Sequence, residues 1–339
     1  MASAKQFIEK RDNIAAIVAY VRSRGGATRM EISRALSLSW ACVSELTASL
    51  VLSGVMIEVR RSAIDGSESK GRTPGYLVLS EKKYFLGVDI NDSGMAISVL
   101  GINGKLLRTQ RWDAEPIKDE EELKISVCEK IASMLDPDAE CLGIGVAMEG
   151  QRGEDGSWGY PLSGGIIPIK PEIFIEERFK LPVSVRHDPE CMLYAVADES
   201  DTDCMAVRVD SGVGVAAMRR GRMLDLPLEL GFISVKEKNL RSVLVGCAKS
   251  KDYGEIAEEL GVAVGNLAML LGVKKVFIVG MIIDWLGGVK ERFDSAFKRG
   301  AKNIEYEVST VSDASWGAAR VAMAEYPVKK ESATDASKS

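Results

Sequence analysis

The sequence predicts an α/β protein: a small helix-turn-helix head with a β-hairpin wing, then a larger body of two similar lobes. Three observations predict it. Residues 1–79 hold short segments with helical apolar spacing followed by a hairpin pattern. From Tyr84 a strand, a turn and a second strand follow one another, and the same series begins again at Cys204. Within each half, amphipathic helices alternate with apolar strands.

In the head, Ile14, Ile17, Val18 and Val21 give Asn13 to Arg24 a helical spacing that ends at Gly25-Gly26. Thr28 caps a second short helix running through Leu36. Ser39 caps a third, Trp40 to Ser53, which Gly54 stops. Two short helices joined by a tight turn are the arrangement that places a last helix in the DNA major groove. "VMIEVRRS" and "YLVL" then form a hairpin whose tip, "AIDGSESKGRTPG", carries Lys70 and Arg72. Val43, Leu46 and Leu50 of the third helix are expected in the core. Its outward residues Trp40, Ala41, Ser44 and Glu45, with Ser39 and Arg29, are expected to meet base edges or phosphates. Arg60, Lys70 and Arg72 suit phosphate or minor-groove contact. A winged helix used for protein contacts is the alternative. Charge supports a DNA partner: eleven basic residues stand against seven acids through Tyr76, in a chain of net charge −5.

The body is read as residues 80–325 and a polar tail, 326–339, as disordered. Its first meander is "YFLGVDI", "MAISVL" and "LLRTQRW"; its second is "CMAVRVD", "VAAMRR" and "RML". Asp92-Ser93-Gly94 and Asp210-Ser211-Gly212 fall at matching turns, which should face a shared cleft. Helices are expected at Glu120 to Leu135, Pro171 to Phe179 and Tyr253 to Leu271, with strands "CLGIGVAM", "PVSVRHD" and "KVFIVG" between them. Such a duplicated pair of lobes is the ribonuclease H-like architecture of actin, Hsp70 and sugar kinases.

Six cysteines are scattered singly and one histidine, His187, serves the whole chain, so neither a disulfide framework nor a histidine-rich metal site is expected. No apolar run approaches a membrane span and no secretory leader is visible, which suggests a cytoplasmic protein.

Taken in order, "GRTPGYLVLSEKKYFLGVDI", "GIGVAMEG", "YPLSGGI", "PVSVRHDPE", "VDSGVGVAAMRRGRM", "LELGF" and "VFIVGMI" resemble the ROK family, repressors and sugar kinases that share one ATPase-like domain. The resemblance covers Asn13 to about Ala324. It implies a DNA-binding regulator, a repressor, sensing a small sugar-derived ligand. The alternative is a bifunctional ATP-dependent sugar kinase.

Several motif positions depart from the kinases of that family. Asn91 and Asp92, with Ser93, stand where kinases carry glycines; opposite one phosphate charge at about 4 Å, Asp92 would cost on the order of 4 kcal/mol. Asp92 and Ser93 can equally serve only to stabilise their turn. Ser211, Gly212 and Gly214 keep the second phosphate loop, whereas Met281 and Ile282 crowd the adenosine position. Asp188 falls at the catalytic base and is read as vestigial, or as an N-cap of the helix that follows. Phe232 replaces a zinc-binding histidine and the cysteine-rich zinc loop is missing, so neither metal nor cofactor is expected. Ser163, Gly165, His187, Asp188 and Glu229 form the expected ligand set, with a cleft kept only for its shape as the alternative. The resemblance implies a homodimer or homotetramer on a double-stranded operator.

Overall fold

In the computed structural model, the described residues are 4–60, 75–91, 94–150, 152–162, 165–198, 200–210, 212–225, 228–235, 237–280, 282–311 and 313–336. Lys70, Arg72, Asp92, Ser93, Ser163, Ser211 and Met281 lie outside them.

The head consists of α1 (Ala4–Arg24), β1 (Ala27–Thr28), α2 (Arg29–Leu36), α3 (Trp40–Leu52), β2 (Met56–Val59) and β3 (Tyr76–Leu79). The strands form one antiparallel sheet in the order β1-β3-β2. Local chemistry sets the helix starts. Thr28 and Glu31 make a reciprocal capping box, and Ser39 accepts from the Cys42 amide.

The first lobe carries β4 (Lys83–Asn91), β5 (Gly94–Gly101), β6 (Leu106–Asp113), α4 (Glu120–Met134), β7 (Glu140–Met148), β8 (Trp158–Leu162), β9 (Gly165–Ile169), α5 (Pro171–Phe179), β10 (Val183–His187) and α6 (Asp188–Val196). The second carries β11 (Cys204–Val209), β12 (Val213–Arg219), β13 (Arg222–Met223), β14 (Leu228–Glu229), β15 (Ser234–Val235), β16 (Lys238–Asn239), α7 (Leu240–Ser250), α8 (Gly254–Leu271), β17 (Lys275–Val279), α9 (Ile283–Gly300), β18 (Glu305–Val308) and α10 (Ser315–Ala336).

The duplication is visible in the sheets. One runs β10-β7-β4-β5-β6 and the other β18-β17-β11-β12-β13. In each, an antiparallel meander is extended by two parallel strands. Each lobe also ends on a helix that packs on the other lobe: α6 lies against β11 and β12, and α10 against β4, β7 and α6. The crossing is close because of glycine. A Cβ on Gly317 of α10 would collide with the Cys191 carbonyl of α6, and one on Gly145 with the Ala318 carbonyl.

Each lobe has its own apolar core, one around Leu86, Ile97, Val127 and Ile144, the other around Val207, Leu260, Ile278 and Phe293. Among the described residues, the core of the head is continuous with that of the body. Its Ile17, Val21, Val43 and Leu77 pack in one cluster with Phe85, Leu100 and Leu142 of the first lobe and Ala319 and Ala322 of α10. Phe85 and Tyr326 meet edge to face, with ring centroids 5.5 Å apart.

Two ends differ from expectation. Helix α1 begins at Ala4 rather than Asn13, and α10 continues through Ala336, so residues 326–336 are helix rather than disordered tail. Both extend a helix already anchored in the core, and propagating an anchored helix is far easier than nucleating one. No helix among the described residues is long and apolar enough to cross a membrane.

Candidate functional site

Two surfaces carry the expected chemistry. On the head, Ser39, Trp40, Ala41 and Glu45 are exposed and Ser44 is half-buried, while Val43, Leu46 and Leu50 are buried. Trp40 is 54% exposed, unusual for an indole and consistent with a surface kept for a partner. Arg60 is exposed at the end of the wing's first strand. Arg29, expected on the DNA face, has partners within the head. Its guanidinium donates to both carboxylate oxygens of Glu58 at 3.1 Å and to Thr47 Oγ1 at 3.0 Å, so it ties α2 to the wing. Those hydrogen bonds hold the Glu58 carboxyl below its ordinary range.

Between the lobes lies a cleft of about 460 Å³. His187, Asp188 and Glu229 line it, as do Gly212 and Gly214 of the second turn. Gly165 does not; its neighbour Ile166 does, from the exposed β8–β9 hairpin. Asn91 ends β4, and its side chain hydrogen-bonds the Asp89 carboxylate. Asp188 is not the N-cap of α6: His187 takes that position and Asp188 is the first helical residue, followed by Pro189.

The centre of the cleft is a buried ion cluster that the sequence did not reveal. Arg208 of β11 donates through Nη1 to Asp188 Oδ2 and through Nε to Asp210 Oδ2, the latter at 2.5 Å. The other Asp188 oxygen lies 3.3 Å from His187 Nε2, which is 3.7 Å from Glu229. The imidazole stacks on Trp158, with ring centroids 6.3 Å apart. Beneath the cluster Asp89 is fully buried; one of its oxygens accepts from the Ala314 amide and the other has no partner.

Burial decides the charges. It pushes Asp188 up to about 8, with Arg208 pulling the other way, and it raises Asp89 as well. It lowers His187 to about 4, helped by the nearby guanidinium, so the imidazole is neutral at physiological pH. Arg208 is held firmly protonated by the carboxylates around it. A signal for Arg208 existed: in "CMAVRVD" the residues alternate across the sheet, placing Ala206, Arg208 and Asp210 on one side, and a lone arginine in a central apolar strand requires a counter-ion.

The winged-helix head on a duplicated body of the actin, Hsp70 and sugar-kinase type defines the class. Within that class the chain has the ROK fold, in the form that carries the regulators' head. A crystal structure of a ROK family transcriptional regulator, a homologue of the Escherichia coli MLC protein, superposes with a TM-score of 0.73 at 17% identity, covering 94% of this chain and 97% of that one. A ROK family glucokinase from Streptomyces griseus, solved with glucose and AMPPNP, gives a TM-score of 0.56 at 16% identity over 70% of this chain and 98% of that one. In sequence, the DNA-binding transcriptional dual regulator NagC of Escherichia coli K12 is 25% identical over 232 residues, 63% of this chain and 54% of NagC. The chain thus spans about half the length of the curated relative it matches. No protein-family model matches the sequence.

Proposed function

We propose that the chain is a DNA-binding transcriptional regulator, a repressor, whose body senses a small sugar-derived ligand and no longer transfers phosphate. The observation that carries this reading is the Asp188–Arg208–Asp210 cluster in the cleft of a chain whose head exposes Trp40. A catalytic base must accept a proton from a hydroxyl in the substrate pose. Here one Asp188 oxygen is held by Arg208 and the other faces His187. The carboxyl is used in holding the lobes' facing edges together. The likeness to NagC and to the ROK regulator supports the same reading.

His187, Glu229 and the hydrogen-bonding rim around them suit a neutral hydroxylated ligand better than an anion, because carboxylates outnumber the cations there. Closure of the lobes on such a ligand would move α10 and, with it, the head. In a homodimer the two heads would meet half-sites one or two helical turns apart.

Genomic DNA sheared and bound at about 150 mM salt, where phosphate attraction is weakened, tests the head. Enrichment of a few upstream regions with a two-fold symmetric site is the expected result; even recovery of all fragments would overturn it. An ATP-dependent phosphorylation assay across hexoses and aminosugars tests the body. Turnover above background would favour the bifunctional kinase.

A further inference from the structure

The cleft between the lobes has two chemically different zones. Its inner zone is polar: Asp188, only 5% exposed, meets Arg208 and His187 there, and His187 in turn lies 3.7 Å from Glu229. The rest of the lining includes large apolar side chains from both lobes. Ile166 comes from the β8–β9 hairpin of the first lobe, opposite its cross-strand partner Pro161, which also lines the cleft. Phe232 comes from the second lobe, three residues after Glu229.

Both side chains stand largely in water, Ile166 at 76% exposed and Phe232 at 58%. Single exposed apolar residues are common on protein surfaces, but these two belong to facing lobes and line one concave site, where a ligand is what covers such groups. Local structure keeps each in place. Gly159 leaves room for Ile166 to lie across the hairpin, since a Cβ at that position would stand 2.9 Å from the isoleucine Cγ2. Leu230, buried in the second lobe's core, anchors the single helical turn Leu230–Phe232 that presents the phenyl ring. A ligand with hydroxyl groups alone satisfies the inner zone and leaves both apolar groups wet. One that also carries an apolar group at its outer end removes them from water, and that burial is favourable in proportion to the area covered. The cleft, at about 460 Å³, is large enough for both parts.

We propose that the ligand of this cleft is a glycoside, a sugar bearing an aryl or alkyl aglycone, with its hydroxyl groups toward His187 and Glu229 and its aglycone between Ile166 and Phe232. This rests on the reading of the body as a sugar sensor and narrows the class of sugar. Because one apolar contact belongs to each lobe, the aglycone binds best when the lobes are drawn together, and so favours the closed arrangement over the open one.

The test is calorimetric titration of the full chain with glucose, galactose, xylose and N-acetylglucosamine, each beside its α- and β-phenyl glycosides. At least one phenyl glycoside should bind tenfold or more tightly than its parent sugar. Ile166→Ser and Phe232→Ser should each remove most of that advantage, and because both side chains are exposed neither change threatens the fold. Leu270→Ser, at an 84% exposed position of α8 that does not line the cleft, should remove none of it. Parent sugars that bind as tightly as their phenyl glycosides would overturn the proposal and leave the sugar reading standing. An advantage undiminished in both cleft variants would also overturn it, by placing the phenyl group elsewhere. Binding of no sugar and no glycoside would remove the sugar reading and the proposal together.

Discussion

At the scale of single residues, Arg208 decides what the cleft can do. It is the counter-ion for Asp188 and Asp210 and lies close enough to Asp89 to influence its charge. Removing one partner of a buried ion cluster leaves the others uncompensated, typically at about 3–5 kcal/mol. Arg208→Met should therefore lower stability by about that much in denaturant unfolding, and the double change Arg208→Met, Asp188→Asn should recover much of it. A single variant as stable as the parent would mean that Arg208 does not hold the cleft. His187 gives a pH test. Its proton affinity is lowered on folding, from the ordinary 6.5 to about 4, so the stability it contributes is present above pH 6.5 and is lost as the pH falls through 4. The loss is on the order of 3 kcal/mol at most. Asp188 acts in the opposite sense, its contribution fading as the pH climbs through about 8. The difference in melting temperature between the parent and His187→Gln, followed from pH 7 to 4, isolates the imidazole: the gap should narrow as the pH falls.

At the scale of elements, the crossing of α6 and α10 depends on backbone contact that only glycine permits. Gly317→Ala places a methyl group against the Cys191 carbonyl, where neither helix can yield without disturbing its own lobe. Overpacking of this kind costs about 1–3 kcal/mol, and thermal unfolding should report it. Gly246→Ala on α7, where a methyl group meets nothing, is the control and should be neutral or slightly stabilising. The crossing also marks the limit of sequence reading. Thr28, Ser39 and Gly54 announce their helix ends because capping is a matter of three or four neighbouring residues. The two meanders were legible because their turns repeat. That the last helix of each lobe serves the other was not, since it depends on pairs such as Cys191 and Gly317, far apart in the chain and ordinary in composition. Arg208 escaped for the same reason: its partner Asp188 stands at the start of the other lobe's last helix. The tie between Arg29 and the wing escaped as well, because only the fold brings Glu58 beside it.

At the scale of the whole molecule, the head is seated rather than tethered. Its apolar cluster includes residues of the first lobe and of α10, so it cannot lose its packing without exposing Phe85, Ala319 and Ala322. Scanning calorimetry should accordingly show the head melting with the first lobe. A separate low-temperature transition that leaves the body's near-ultraviolet signal untouched would contradict this. If the chain is the regulator proposed above, a change in lobe closure would reach the head through α10, which packs on both.

The exchange of terminal helices also sets a timetable for biosynthesis. Strands β4 and β7 are finished by Met148, but the helix that covers their outer face begins at Ser315. A ribosome adding about 5–20 residues per second needs on the order of 10 to 30 s to cover that interval. Throughout it, the nascent first lobe and the head above it present an open apolar face, and both are completed only when the last helix emerges.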